Sequence, residues 1–214
     1  MRHRAALLLP AFLLAACGGA GQPMVSPPVP AGYAEAVAAE RAAKDRRFRE
    51  APDSPLLAAD LPGFRGLDYW PVDPSWRYAG PIERHARPQR FTIISTTGQE
   101  RPCERWGQLA FARDGKTHVL QVYRLLDSGD VAGVEGLFLP FTDRTTGKEG
   151  YPAGRYIDIE EEAPGRYVVD FNRAYNPLCA YGAPERYACP VTPAENRLAL
   201  RVEAGERGWH GRRP

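Results

Sequence analysis

Leu109-Ala-Phe-Ala-Arg-Asp-Gly-Lys-Thr-His-Val-Leu-Gln-Val-Tyr-Arg-Leu-Leu126 decides the fold class. Leu109 and Phe111 alternate with Ala110 and Ala112, and a second extended run, Val119 to Leu126, follows Asp114-Gly115. A period of two on either side of Asp-Gly marks two antiparallel strands joined by a tight hairpin. The texture recurs outward in both directions. Phe91 and Ile93 share a face of 91–95, and Leu137, Leu139 and Phe141 point one way, although Pro140 demotes that strand to an edge or a bulge. Ile157 and Ile159, then Tyr167, Val169 and Phe171, then Leu198, Leu200 and Val202 complete the series. About seven strands without crossover helices predict an all-β domain, an antiparallel sandwich or small barrel. The chain of 214 residues holds 21 Gly and 21 Pro, which favours many turns over a helical bundle.

The N-terminal part has a different texture. Arg2 and Arg4 precede an apolar run from Ala5 to Leu14, too short to span a bilayer, which ends in Leu14-Ala15-Ala16-Cys17. This is the pattern of a bacterial lipoprotein signal, with Cys17 as the lipidated first residue of the mature chain. Gly18 after the cysteine fits sorting to the outer membrane, facing the periplasm, in a Gram-negative cell. The expected division is a signal peptide over 1–16, a lipidated cysteine and flexible tether over 17–32, and a helix over 33–50. An all-β domain over 51–206 and a disordered tail over 207–214 follow. The helix is rich in Ala, Glu and Arg, with a thin apolar stripe of Tyr33, Val37 and Phe48. Such a helix lies on a domain rather than within it. The 28 basic and 26 acidic residues become equal once Arg2 and Arg4 are removed. Without a basic stripe or motif, nucleic acid is excluded as a partner.

Two polar loops are the candidates for function. Thr142 to Arg155 contains Gly147-Lys148 but lacks the spacing of a nucleotide-binding loop. It is either a solvated connection or a binding rim in which Lys148 and Arg155 meet an anion. The second begins Asp170-Phe-Asn-Arg-Ala-Tyr-Asn-Pro177 and runs through Cys179-Ala-Tyr181 and Cys189-Pro190 to Glu195-Asn196-Arg197. Its polar groups either satisfy buried backbone in a long strandless segment or form a ligand site. In the second reading Arg173 joins Arg155 as a bidentate anion partner, Asp170, Asn172, Asn176 and Asn196 fix hydroxyls, and Tyr175 or Tyr181 stacks.

These motifs, with Phe64-Arg-Gly-Leu-Asp-Tyr-Trp-Pro-Val-Asp-Pro74, Gly147-Lys-Glu149, Tyr151 and Gly154-Arg-Tyr156, resemble the bacterial family catalogued as domain of unknown function 1684. The resemblance spans roughly residues 41 to 206. It implies the domain boundaries and agrees with a lipoprotein, but implies no activity.

Cys179 and Cys189 share one Pro-rich loop, and in an oxidising compartment a disulfide between them is the expected state. No Cys-x-x-Cys or paired-His spacing supports a metal, and no cofactor is expected. Neither a Gly-x-Ser-x-Gly elbow nor His-Glu-x-x-His occurs. The sequence therefore reads as a lipid-anchored envelope protein that binds a small anionic or sugar-like ligand or an envelope polymer, with no catalytic residue named. The alternatives are a hydrolase using Asp170 with Tyr175 or Cys179, and a scaffold that meets envelope partners through the Trp70/Trp76 region.

Overall fold

The computed structural model describes residues 22–126, 136–182 and 186–209. Cys17 and its signal lie outside the described residues. Helix α1 spans Tyr33–Glu50 and begins after Gly32 at φ 72°. Among the described residues eight strands follow: β1 Arg77–Gly80, β2 Glu83–Ile94, β3 Glu100–Arg113, β4 Lys116–Leu125, β5 Leu137–Phe141, β6 Arg155–Asp158, β7 Glu160–Ala163 and β8 Arg166–Asp170. They form an antiparallel five-stranded sheet, β2-β3-β4-β5-β6, and a three-stranded sheet, β1-β8-β7. The architecture is a sandwich, not a closed barrel. The hairpin at Asp114-Gly115 forms as expected. Both residues have positive φ, 50° and 69°, and Arg113 pairs with Lys116, which is the geometry of a type I′ turn matched to strand twist.

Side chains from both sheets fill one core, with Phe171 at its hub. Its ring lies 5.2–6.1 Å from those of Trp76, Tyr78, Phe111 and Phe141. Met24 and Val25 join the two sheets. Met24 donates to the Ala110 carbonyl at 2.7 Å, while Val25 and Ala79 exchange backbone hydrogen bonds at 3.0 and 2.8 Å. This part of the expected tether is thus woven into the domain, and Met24 is buried. At the other end the chain remains packed beyond 206. Arg207 and Gly208 donate backbone bonds to Asp68 and Glu149, and Trp209 packs its ring on Phe64 and Tyr181.

Two strand expectations are corrected. Pro140 sits at neither an edge nor a bulge: β5 lies between β4 and β6. Pairing of β4 with β5 runs only through Tyr123–Phe138 and Arg124–Leu137, and continuing that register would set Gln121 against Pro140, which has no N–H to give. The sheet splays there, and the Asn196 side chain enters. Its Oδ1 accepts from Gln121 N at 2.8 Å, and its Nδ2 donates to the carbonyls of Gln121 at 2.8 Å and Pro140 at 2.7 Å. Leu198 to Val202 is the second correction. Its apolar residues point inward as the alternation requires, but the segment has no continuous partner strand. Its backbone bonds go to the Thr142 carbonyl, the Arg144 N–H, the Asp143 carboxylate and the Arg155 guanidinium.

Asn196 was expected at a ligand site and is instead a fully buried ladder substitute. Removing its amide strands backbone groups of two strands, so Asn196→Ala should lower stability by about 2–4 kcal/mol. Urea denaturation checks this, and a loss below about 1 kcal/mol would contradict the substitute role.

Candidate functional site

The inward stripe of α1 is mostly polar in its middle: Tyr33, Val37, Arg41, Lys44 and Phe48 follow one another at spacings of three and four. Each polar member has a partner on the β domain. The Tyr33 hydroxyl donates to Asp170, 2.9 and 2.8 Å from its two oxygens, and burial against that carboxylate raises its pKa. Asp170 ends β8 and caps the following 3-10 turn by accepting from Asn172 N at 3.0 Å. It also accepts from Arg173 Nη1 at 2.7 Å. Arg173 forks back onto Glu40 of α1 with two bonds of 2.8 Å, which holds its guanidinium firmly protonated. Arg41 donates to the carbonyls of Trp70 at 2.9 Å and Asn172 at 3.1 Å. Lys44 meets the buried Glu206, whose other oxygen accepts from Tyr181 OH and from Asn176 N at 2.9 Å.

Between α1 and this end of the sheets lies a cleft of about 180 Å³, lined by Arg41, Lys44, Tyr69, Arg173, Tyr175 and Glu206 among others. The Tyr69 hydroxyl and Arg41 Nε in its wall are buried without a hydrogen-bond partner. Arg41 also stands 4.5 Å over the Tyr69 ring. Burial raises the Tyr69 pKa, helped by the Glu206 and Asp45 carboxylates, so this phenol is a neutral donor at ordinary pH. Tyr175 is likewise a neutral donor, its hydroxyl 2.7 Å from Asp158 Oδ1.

The expected site residues are thus divided. Asn172, Arg173 and Tyr175 line the cleft, and Asp170 lies just behind it. Asn172 is buried and pairs both backbone groups of Asp73, accepting from its N at 2.9 Å and donating to its carbonyl at 2.8 Å. Asn176 is buried behind Glu206 and donates to the Arg207 carbonyl at 2.7 Å. Arg155 does not meet a ligand. It is 1% exposed and donates to the carbonyls of Val202, Ala204 and Glu206. Burial lowers its pKa to about 10, so it stays charged, with Asp143 at 3.7 Å and the Trp70 ring 4.7 Å away. Lys148 is exposed in the β5–β6 loop, apart from the cleft. Glu40, Arg41, Lys44, Tyr69 and Glu206 escaped the sequence reading. The available signal was Arg41 and Lys44 on the stripe of Tyr33, Val37 and Phe48, where charge is justified only by partners.

No catalytic set assembles around the named hydrolase residues. The Asp170 lone pairs are occupied by four donors from Tyr33, Asn172 and Arg173, Tyr175 donates to Asp158, and Cys179 belongs to a different neighbourhood. Cys179 and Cys189 are buried thiols, hydrogen-bonded to each other, with Tyr151 OH 3.8 Å from Cys179 Sγ. The expected disulfide is therefore not formed in this structure. The bond from Cys189 lowers the Cys179 pKa to about 6 and raises that of Cys189. Trp70 and Trp76 are 8% and 5% exposed. They stack on Arg155 and Arg113 inside the fold rather than offering a scaffold surface.

A sequence model of the family described as "Protein of unknown function (DUF1684)" matches residues 62–207. The chain belongs to this family. The matched DUF1684 segment carries Tyr69, the 170–177 turn and Glu206, whereas α1 precedes it. A solution NMR structure of an uncharacterised protein from Haloarcula marismortui is similar, with 32% identity and a TM-score of 0.60, covering 81% of this chain and 92% of that one. No curated protein matches the chain.

The Lys44–Glu206 contact ties the cleft wall to the C-terminal segment. Glu206→Ala removes the acceptor of Lys44, Tyr181 and Asn176 and should destabilise the domain by about 2–4 kcal/mol. Lys44→Met combined with Glu206→Gln should recover part of that loss, because no uncompensated charge remains. Urea denaturation of both variants tests the pair, and equal losses would show that the charge is immaterial.

Proposed function

We propose that the protein is a lipid-anchored binding module of the cell envelope that takes a small, neutral, hydroxyl-rich ligand of sugar type in the α1 cleft. The observation that carries this reading is the pair of partnerless polar groups, Tyr69 OH and Arg41 Nε, in a wall whose other polar groups are matched. A buried unmatched group costs about 1–3 kcal/mol, and a ligand hydroxyl would recover that cost. Neutrality follows from the charge balance: the cations Arg41, Lys44 and Arg173 stand against the carboxylates Glu40, Asp170 and Glu206, with Lys44 paired to Glu206 and Arg173 to Glu40 and Asp170. A polymer could enter only through a terminal unit, since the cleft volume is about 180 Å³. The phenols and saturated carboxylates favour recognition over proton transfer.

Membrane attachment rests on Leu14-Ala15-Ala16-Cys17 and the apolar run before it. Several acyl chains on Cys17 would give stable anchoring where one would not, with the domain facing the periplasm in a Gram-negative cell. In that oxidising compartment the Cys179 and Cys189 thiols close to a disulfide by exchange with a partner disulfide, which takes up the two electrons and two protons and leaves as a dithiol.

Calorimetric titration of the full chain with N-acetylglucosamine and with glucose tests the cleft. Saturable binding of either sugar is expected, weakened about tenfold in Tyr69→Phe through loss of one hydrogen bond. Absence of binding together with a stabilised Tyr69→Phe would show that the hydroxyl is merely an internal defect. Intact-mass measurement of the chain from envelope membranes, without reductant, tests the address. The expected product starts at an acylated Cys17 and lacks two hydrogens for the 179–189 bond. Cys17→Ser should release the protein from the membrane fraction, and an unprocessed, unacylated chain would overturn the anchor.

A further inference from the structure

A second groove lies on the outer face of the large sheet. Its first wall is His85, Ala86, Arg87 and Gln89 of β2. Arg84 pairs with Gly107 and Gln89 with Arg105, so four residues of β2 stand opposite Trp106 alone. Such an excess forces β2 to arch out of the ladder. The arch leans across β3, because His85 Nε2 reaches Gln121 Oε1 of β4 at 2.9 Å. Gly107 allows this approach: a Cβ there would lie 2.6 Å from the Glu83 carbonyl oxygen and 3.1 Å from Arg84 Cα. The second wall is Glu195, held by Arg105 and by Tyr123 OH at 2.8 Å. Between them is a groove of about 520 Å³, within the range of small-molecule sites.

The charges in this groove are unevenly matched. Arg105 donates to Gln89 Oε1 at 2.8 Å and to Glu195, and its Nε is buried without a partner. The flanking cations lie outside the groove and are engaged elsewhere: Arg84 stands over the Trp106 ring at 5.6 Å and Arg90 lies 3.8 Å from Glu104. Arg87, exposed on the arch, has no partner among the described residues. With the one carboxylate of the groove already held by Arg105, the Arg87 guanidinium is its uncompensated charge. We infer that the groove between the β2 arch and Glu195 is a ligand site for a small oxyanion, a phosphate or carboxylate group, with Arg87 as the pairing cation. The guanidinium fork matches either group in two parallel hydrogen bonds. The Gln89 amide, its oxygen fixed by Arg105, turns its remaining donor capacity to the same anion. This site is separate from the α1 cleft and selects the opposite ligand character, charged rather than neutral.

The probes are inorganic phosphate and acetate, titrated separately into the ¹⁵N-labelled full chain at constant ionic strength and followed by NMR. Saturable shifts centred on His85, Arg87, Gln89 and Gln121 are expected for at least one probe, with a Kd on the order of 1 mM. Arg87→Gln, an exposed change that removes no described contact, should weaken binding about tenfold. Arg90→Gln, which removes an equal charge from the same strand outside the groove, should leave the affinity unchanged. Three results would overturn the site: no saturation with either probe, shifts centred elsewhere, or equal losses in the two variants. The last would mark diffuse charge attraction.

Discussion

The Arg155 guanidinium, buried beneath Trp70, is the contact on which the rest of the arrangement hangs. Residues Val202, Ala204 and Glu206 lie along an extended segment, and their carbonyls turn toward one side with no strand to receive them. Arg155 supplies the missing donors from a single side chain, because five N–H groups in a rigid fork can meet a row of acceptors. The segment so held places Glu206 where Lys44, Tyr181 and Asn176 converge. It also seats Gly205, at φ 78°, where a Cβ would lie 2.6 Å from the Ala174 carbonyl oxygen. The seating of α1, and with it the cleft, therefore depends on one cation inside the sandwich.

Two asparagines repeat the device on a smaller scale. Asn196 pairs both backbone groups of Gln121, and Asn172 pairs both of Asp73. A side-chain amide has the same donor and acceptor as a peptide unit, so it can stand in for one rung of a ladder. The fold needs such substitutes because long parts of its C-terminal half run without a partner strand, yet pack their apolar residues inside. Buried backbone in those parts must be paired by something. Polar density in the 170–197 segment is thus largely the signature of a strandless core layer. Among its described residues, Asn172, Arg173 and Tyr175 also border the α1 cleft, and Glu195 borders the groove beside the β2 arch.

Much of the fold was legible because it depends on local pattern. The Asp114-Gly115 hairpin, the Tyr33–Glu50 helix and the inward faces of the strands follow from turn chemistry and periodicity. Pro140 misled because a proline lacking its N–H reads as an edge, and local sequence does not reveal an asparagine 56 residues away in the chain that fills the gap. Leu198 to Val202 alternates like a strand because burial on one face sets the alternation, whether or not a neighbour strand completes the hydrogen bonds. Arg155 and Asn196 looked like ligand groups for a related reason: residue type reports hydrogen-bonding capacity, not the partner.

By itself the sequence determined the all-β class, the helix that lies on the domain, and the inward-facing apolar residues. Each rests on short-range periodicity or on a contiguous motif, which tertiary contacts do not alter. The tertiary structure alone decided which polar residues serve the backbone and which face a cleft. It also brought Arg41 and Lys44 to Tyr69 and Glu206, and leaned the β2 arch over Gly107 toward Gln121. Those relations join residues far apart in the chain through hydrogen bonds and ion pairs with no periodic trace, so only the packed chain selects them.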